Sequence, residues 1–292
     1  MRAAIVNNPI SGRGGRRAGA AAERTSLAHR VSNELGIDAR VEVTRARGHA
    51  IELAAAFAAE GVDRVVAWGG DGTVNEIAGP IVGTSTALGI VPSGSGDGFA
   101  RGLKLPRPPE AALRLALIGA PKPVDVGYLG MRHFLNVAGI GFDAAVGQIF
   151  NRRTRRGAAG YFNAFSLVWG YRPASYTLDI DGVALPGERF LLVFANGREY
   201  GNGAVIAPDA SFDDGKLDAL IVAAGSPWRQ LWRARRLVIG RRRPAHGLLR
   251  QQFTTARVSG DALQCHVDGE TFEFSGTLEV RLAPLALGVI RP

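Results

Sequence analysis

Residues 64–79 read RVVAWGGDGTVNEIAG. An apolar run, RVVAW, meets two glycines, an aspartate, a third glycine and a threonine. A pattern that suits a short helix over 73–78 follows. A strand that passes through a glycine-rich turn into a helix is the repeating unit of a parallel α/β sheet. The same order occurs twice more nearby. Residues 3–6 lead into NNPISGRGG and then an Ala-rich helical stretch that ends near Gly36, a good helix C-cap. Residues 87–91 lead into PSGSGDG, residues 92–98, and a helix through 103. Between these, residues 39–43 read as a strand and 49–60 as a helix. Ligands on such sheets bind at the carboxyl ends of the strands, so the three glycine-rich loops are expected to meet on one edge.

The pattern changes after KLPRPP and a helix over 110–117. Runs such as HFLNVAGIGF, SYTLDIDG, RFLLVFANG, KLDALIVA and TLEVRLAP are short, β-rich and separated by turn residues, which indicates a β-sandwich-like domain. The expected fold class is therefore α/β + β. An N-terminal parallel-sheet domain covers 1–124, a β-rich domain covers 125–283, and residues 284–292 are expected to return to the first. A helical insert is expected over 227–243, with Ser226 at the N-cap and Pro227 at the first helical position. Trp228, Leu231, Trp232, Val238 and Ile239 fall near one face of it, and Arg229, Arg233 and Arg236 on the other.

Composition narrows the function. The chain of 292 residues is 46% hydrophobic, enough for a large core, and its 39 glycines and 15 prolines show no repeat. A single cysteine, Cys265, excludes an intramolecular disulfide and a multi-cysteine zinc site. The start reads as no signal peptide, and no apolar run is long enough to span a bilayer, so a cytoplasmic protein is expected. The net charge of +9 is unevenly spread. Residues 144–178 hold five Arg and no acid, and residues 219–260 hold nine Arg and no acid. Nucleic acid, an anionic membrane and a phosphorylated ligand could each answer that charge, and Arg usage alone could produce it, since only three Lys stand against 32 Arg. Interleaved aromatics are too few for a single-stranded nucleic-acid platform, so no nucleic-acid partner is expected.

The loops carry the chemistry. Glycines after a strand let backbone N–H groups approach phosphate oxygens, and Asp71 adds a carboxylate at a helix N-terminus. Ser93 and Ser95 add hydroxyl donors in the third loop. One such turn is weak evidence; three after successive strands make a nucleotide-phosphate site the better explanation. No GxxxxGK[ST] is present. GIGFDA, residues 139–144, matches a loose dinucleotide fingerprint but lacks an acid about 20 residues on, so it reads as a turn in the second domain. His29, His133, His246 and His266 form no ligand spacing and read as structural, and Cys265 as a buried small residue.

The ordered blocks NPISG, GGDGTVNEI, PSGSGDGFAR, FLNVAGIGFDA, APDASFDDGKLD and VDGE resemble, across essentially the whole chain, the diacylglycerol kinase catalytic family, with its bacterial lipid kinases and its sphingosine and ceramide kinases. The resemblance implies a nucleotide domain like that of NAD kinases and phosphofructokinases, followed by a β-sandwich-like domain. It implies that Asn8, Ser11, Gly12, Thr44, His49, Gly70, Asp71, Gly72, Thr73, Ser93, Gly94 and Ser95 line the nucleotide site. Asp125 matches a nucleotide-proximal or metal-proximal acid. Asp214, the carbonyl of Leu217 and Asp218 match a structural Mg²⁺ site, and Asp268, with Glu270 beside it, the general base. Asp71 is the rival base. Asp97 departs from the pattern, standing where Asn is usual, so it either ligates Mg²⁺ or is turned away by the loop.

The resemblance thus implies an ATP- and Mg²⁺-dependent kinase acting on a lipid hydroxyl. Diacylglycerol leads as acceptor, and a sphingoid base, ceramide or another phospholipid is the alternative. NAD kinase chemistry and a non-catalytic nucleotide-binding protein rank lower. The expected partner is a lipid at an anionic membrane, reached peripherally from the cytoplasm through the 227–243 helix, the Arg cluster at 152–156, or both; a homodimer stays open.

Overall fold

The computed structural model of the chain describes residues 1–12, 19–145, 168–173, 175–185, 187–200, 205–238 and 248–292. The Arg cluster at 152–156 and the tail of the predicted insert, 239–243, lie outside these residues. The chain divides into two compact units: Met1–Val124 with Leu285–Pro292, and Asp125–Pro284.

The first unit is a parallel sheet built from β1 (Arg2–Asn7), β2 (Asp38–Val43), β3 (Arg64–Gly69) and β4 (Ala87–Pro92), in the order β4-β3-β1-β2. The chain's last strand ends here, pairing parallel with β4 so that Val289 stands opposite Leu88. Among the described residues, the helices of this unit are α1 (Ala20–Glu34), α2 (His49–Ala59), α3 (Asp71–Ile81), α4 (Gly98–Gly102) and α5 (Pro109–Ile118). All six residues of β3 are buried, as a central parallel strand covered on both faces requires. Ile5, Val66, Trp68 and Val91 pack with Ala28 and Val31 of α1 and with Ala112, Leu113, Ala116 and Leu117 of α5. The alternate residues Ala4, Val6, Val65 and Ala67 are equally buried on the opposite face, where α2 and α3 pack. Buried Arg64 donates to the carbonyls of Ala116, Leu117 and Gly119, which places its charge at the negative end of α5.

The second unit is antiparallel. Its strands run from β5 (Pro121–Leu129), which enters from the first unit, through β6 (Arg132–Phe134), β7 (Val137–Gly141), β8 (Tyr176–Ile180), β9 (Val183–Leu185), β10 (Arg189–Ala195), β11 (Leu217–Ala223), β12 (Leu248–Phe253) and β13 (Thr255–Val267) to β14 (Glu270–Ile290), the strand that ends in the first unit. One layer follows the order β12-β11-β10-β7-β13. The register of β13 with β14 shifts between Gly260 and Leu263, where Ala262 takes a positive φ. That bulge lets the two halves of β13 serve different neighbours: residues 256–260 pair with β8, and 265–267 with β7. Phe134, Ile140, Leu192, Phe194, Val258, Cys265 and Val280 fill the core between the layers. The alternate residues Val193 and Ala195 of β10 join a second cluster with Val168, Phe190 and Leu220. GIGFDA is thus strand through Gly141 and becomes a helical turn only from Phe142.

The predicted insert contains α6 (Pro227–Val238), whose first intrahelical bond runs from the Gln230 amide to the Ser226 carbonyl. Its rotation differs from the amphipathic reading. Gln230 and Arg233 are buried, while Trp228 and Trp232 face solvent. The Ala223 carbonyl, at the end of β11, explains the reversal. It accepts from Gln230 Nε2 at 2.9 Å and from Arg233 Nη1 at 2.7 Å, and Arg233 Nη1 also donates to Gln230 Oε1 at 3.3 Å. Leu231 still packs inward against the second cluster. The side chains of Arg236 and Val238, and all of Ile239, fall outside the described residues.

Candidate active site

In the first unit, the loops after β1, β3 and β4 meet backbone to backbone. Gly12 has φ +77°, and a side-chain Cβ there would stand 2.0 Å from the Ser93 carbonyl oxygen. A Cβ on Gly94 would lie 2.8 Å from the Gly70 Cα and 2.5 Å from Asp97 Oδ1. These approaches require glycine. The Ser93 amide donates to the Gly69 carbonyl at 2.9 Å, and the Ser11 and Ser93 hydroxyls are 2.7 Å apart. Asn8 Nδ2 donates to Thr73 Oγ1 at 2.8 Å, which ties the first loop to the start of α3. Gly72 and Ser95 remain exposed at the mouth of the cluster.

Asp71 opens α3, where no side chain caps the helix, and its Oδ1 accepts a long bond, 3.4 Å, from the Phe99 amide. Thr44 follows β2, and its amide donates to the Asn7 carbonyl at 3.0 Å. His49 Nδ1 accepts from the Arg45 amide at 3.1 Å, so this ring nitrogen shapes the turn into α2. Asp97 sits in the left-handed region with φ 45°, and its Oδ1 accepts from the Gly94 amide at 2.9 Å. Burial pushes its carboxyl above the usual aspartate range, against the pull of that amide, Arg107 and Arg101. An Asn carbonyl would make the same bond, so the departure keeps the loop's geometry. Sequence reading missed Arg24. It reaches from α1 to the Asn8 carbonyl at 2.9 Å, the Ser11 hydroxyl at 3.1 Å and the Ser11 carbonyl at 3.0 Å. Its position in an otherwise ordinary helical run carries no motif signal.

The second unit holds the remaining predicted residues. Asp268 and Gly269 both take positive φ, 45° and 89°, forming the two-residue turn between β13 and β14. The Asp268 carboxylate accepts from three successive amides: Leu135 at 2.7 Å, Asn136 at 3.0 Å and Val137 at 2.9 Å. Its own amide donates to the Val137 carbonyl at 2.8 Å. Glu270 is partly buried and begins β14 opposite Val267.

Asp125 is fully buried and lies against the acidic loop. Its Oδ2 accepts from the Gly215 amide at 2.8 Å, and its amide donates to the Phe212 carbonyl at 2.6 Å. Buried Asn196 bridges the two regions, its Nδ2 donating to the carbonyls of Asp125 at 2.9 Å and Leu135 at 2.8 Å. A continuous polar chain thus links the acidic loop to the Asp268 turn.

Burial, followed by the Asp214 carboxylate, pushes Asp218 up to about 6; Asp209 adds to the push, while Gln252 and Arg250 oppose it. Among the described residues, no three His, Cys, Asp or Glu side chains stand close enough to ring a metal. The donors fit a hard cation all the same. Asp214, Asp218 and the Leu217 carbonyl offer oxygen atoms, the donor type Mg²⁺ takes, and Mg²⁺ ordinarily takes one or two carboxylates and keeps waters.

A triad of buried His266 with part-buried Asp143 and Tyr200, beside the Asp268 turn, was not legible in sequence. His266 Nε2 lies 2.5 Å from Asp143 Oδ2 and 2.7 Å from the Tyr200 hydroxyl, which also bonds Asp143. The Gly269 amide donates to His266 Nδ1 at 3.4 Å, so Nε2 carries the proton toward Asp143. Gly139 makes room for the triad, since a Cβ there would lie 2.1 Å from Asp143 Oδ2.

Residues 2–129 match the diacylglycerol kinase catalytic domain, and residues 136–291 match the YegS C-terminal NAD kinase beta sandwich-like domain. The chain is 33% identical over 301 residues to a protein of Mycobacterium tuberculosis named diacylglycerol kinase, covering 98% of this chain and 94% of that one. It is 40% identical over 211 residues to a Chromohalobacter salexigens protein named "Probable lipid kinase YegS-like", covering 68% of this chain and 66% of that one. A solved structure of a diacylglycerol kinase from Bacillus anthracis shares the fold, with a TM-score of 0.75 at 20% identity over all of this chain and 97% of that one. With its nucleotide-type loops on a parallel sheet and its β-sandwich-like second unit, the chain belongs to the diacylglycerol kinase and YegS-like lipid kinase family, and it is a kinase.

Proposed function

We propose that the chain transfers the γ-phosphoryl group of ATP to the free hydroxyl of diacylglycerol. The observation that carries the nucleotide half is the fusion of three strand-end loops, with Gly12 against Ser93 and Gly70 against Gly94. Backbone amides of these loops and the exposed Ser95 hydroxyl offer the nucleotide phosphates donors, while the Ser11–Ser93 hydroxyl pair ties two of the loops together. The names of the Mycobacterium and Bacillus proteins support diacylglycerol as acceptor.

In the step itself, a bond forms between the lipid oxygen and the γ-phosphorus as the bridging β–γ oxygen bond breaks, and ADP leaves with that oxygen's electron pair. The hydroxyl proton passes to the Asp268 carboxylate. Three successive amides hold that carboxylate in one orientation on its turn. Mg²⁺ held by Asp214, Asp218 and the Leu217 carbonyl would neutralise the acidic loop, and through Asn196 would stiffen the turn that carries Asp268.

A γ-labelled ATP assay over diacylglycerol, sphingosine, ceramide, phosphatidylglycerol and NAD tests the reading. Label on diacylglycerol is expected, with transfer by Asp268→Asn at least about 100-fold slower. Transfer that survives Asp268→Asn and disappears in Asp71→Asn would move the base to α3. Label on another acceptor would replace the substrate. Mg²⁺ is expected to raise the Tm of the parent protein and to leave that of Asp218→Asn unmoved.

A further inference from the structure

We infer that Trp169, Trp228 and Trp232 form an aromatic anchor that seats the second unit on an anionic lipid bilayer. The inference deepens the lipid-kinase reading and rests on it for the presence of a bilayer. The chain has four tryptophans. Trp68 is buried at 2% exposure in the first unit, whereas Trp169, Trp228 and Trp232 are 54%, 72% and 52% exposed. The exposed three come together from two segments. Trp169 meets Trp228 edge to face at 5.6 Å, and Trp228 and Trp232 are one helical turn apart on α6.

Their outward position is fixed. Gln230 and Arg233 hold the opposite side of α6 to the Ala223 carbonyl, so the helix cannot roll its indoles inward without abandoning buried hydrogen bonds. Indole is the side chain suited to a membrane interface: its ring leaves water for the acyl boundary while its N–H stays among head groups. The surroundings select the lipid. Trp169 and exposed Arg172 come from one acid-free segment, 144–178, and Trp228, Trp232 and exposed Arg229 from the other, 219–260. No helix among the described residues is long and apolar enough to cross a membrane. Contact with a bilayer therefore calls for surface groups such as these, with indoles for depth and Arg for head-group charge.

The test uses the full chain and vesicles of phosphatidylcholine alone or mixed with phosphatidylglycerol. Co-sedimentation with the mixed vesicles is expected, with a blue-shifted tryptophan emission that brominated acyl chains quench. The double variant W228A/W232A is expected to bind about tenfold or more weakly, and Arg229→Glu to lose binding only on the anionic vesicles. Transfer to detergent-dispersed diacylglycerol should be unchanged in both, while transfer to diacylglycerol in vesicles falls. Absence of quenching in the parent protein, or equal binding by W228A/W232A, would overturn the anchor. So would a parent dimer that the variant converts to monomer, which would assign the face to self-association. If no lipid is phosphorylated but vesicle binding still depends on the indoles, the anchor stands and the kinase substrate is wrong.

Discussion

In the first unit, the three glycine-rich loops touch through glycine backbones, and each loop is a contiguous motif that follows its own strand. In the second, Asp268 is held by amides 131–133 residues earlier in the chain, and Asp125 by an amide 90 residues later. The two regions thus take their precision from different sources. Close approach of main chain to main chain tolerates almost no substitution, but it leaves a local signature. A carboxylate caged by distant amides depends on strand register, which no short motif writes.

The contrast can be broken most severely at Gly12. Gly12→Ala places a methyl 2.0 Å from a carbonyl at φ +77° and should lower kcat/KM for nucleotide by about 100-fold. Vesicle binding, which the inferred anchor assigns to the second unit, should remain. Steady-state kinetics beside co-sedimentation checks both; equal damage to both would show that the two units do not act separately. Asn196→Ala comes next. It strips a donor from the Asp125 and Leu135 carbonyls and should cost about 2–4 kcal/mol of stability by denaturant titration. It should also slow transfer without changing ATP affinity.

The smallest effect is expected at Asp97. Its carboxyl is raised above 3.8 in the fold, so the folded state favours the protonated form. Stability is lost as pH climbs from the unfolded value of about 4 through the folded one. Asp97→Asn keeps the Gly94 bond and removes that cost. Thermal melts should show the variant more stable at pH 7 and equal to the parent near pH 3, with ATP affinity unchanged.

The elements of the first unit were legible to within a few residues, because glycine turns and helix caps punctuate them. The β-rich character of the second unit was legible too, from short apolar runs between turn residues. The register that brings Leu135, Asn136 and Val137 to Asp268 was not. Neither was the Tyr200–Asp143–His266 triad, whose members lie far apart in the chain. The face of α6 misled for a different reason. Arg counts as outward in any amphipathic pattern, yet two hydrogen bonds make Arg233 a buried donor, and the helix turns its tryptophans to solvent instead.

The division of labour between the units is tested most directly by measuring ATP affinity and single-turnover transfer to diacylglycerol on the same Asp268→Asn and Gly94→Ala proteins. Gly94→Ala should lose ATP binding, since its Cβ would meet both Gly70 and Asp97. Asp268→Asn should bind ATP like the parent and fail in transfer. An Asp268→Asn protein that loses ATP binding as fully as transfer, or one that transfers at the parent rate, would contradict the account.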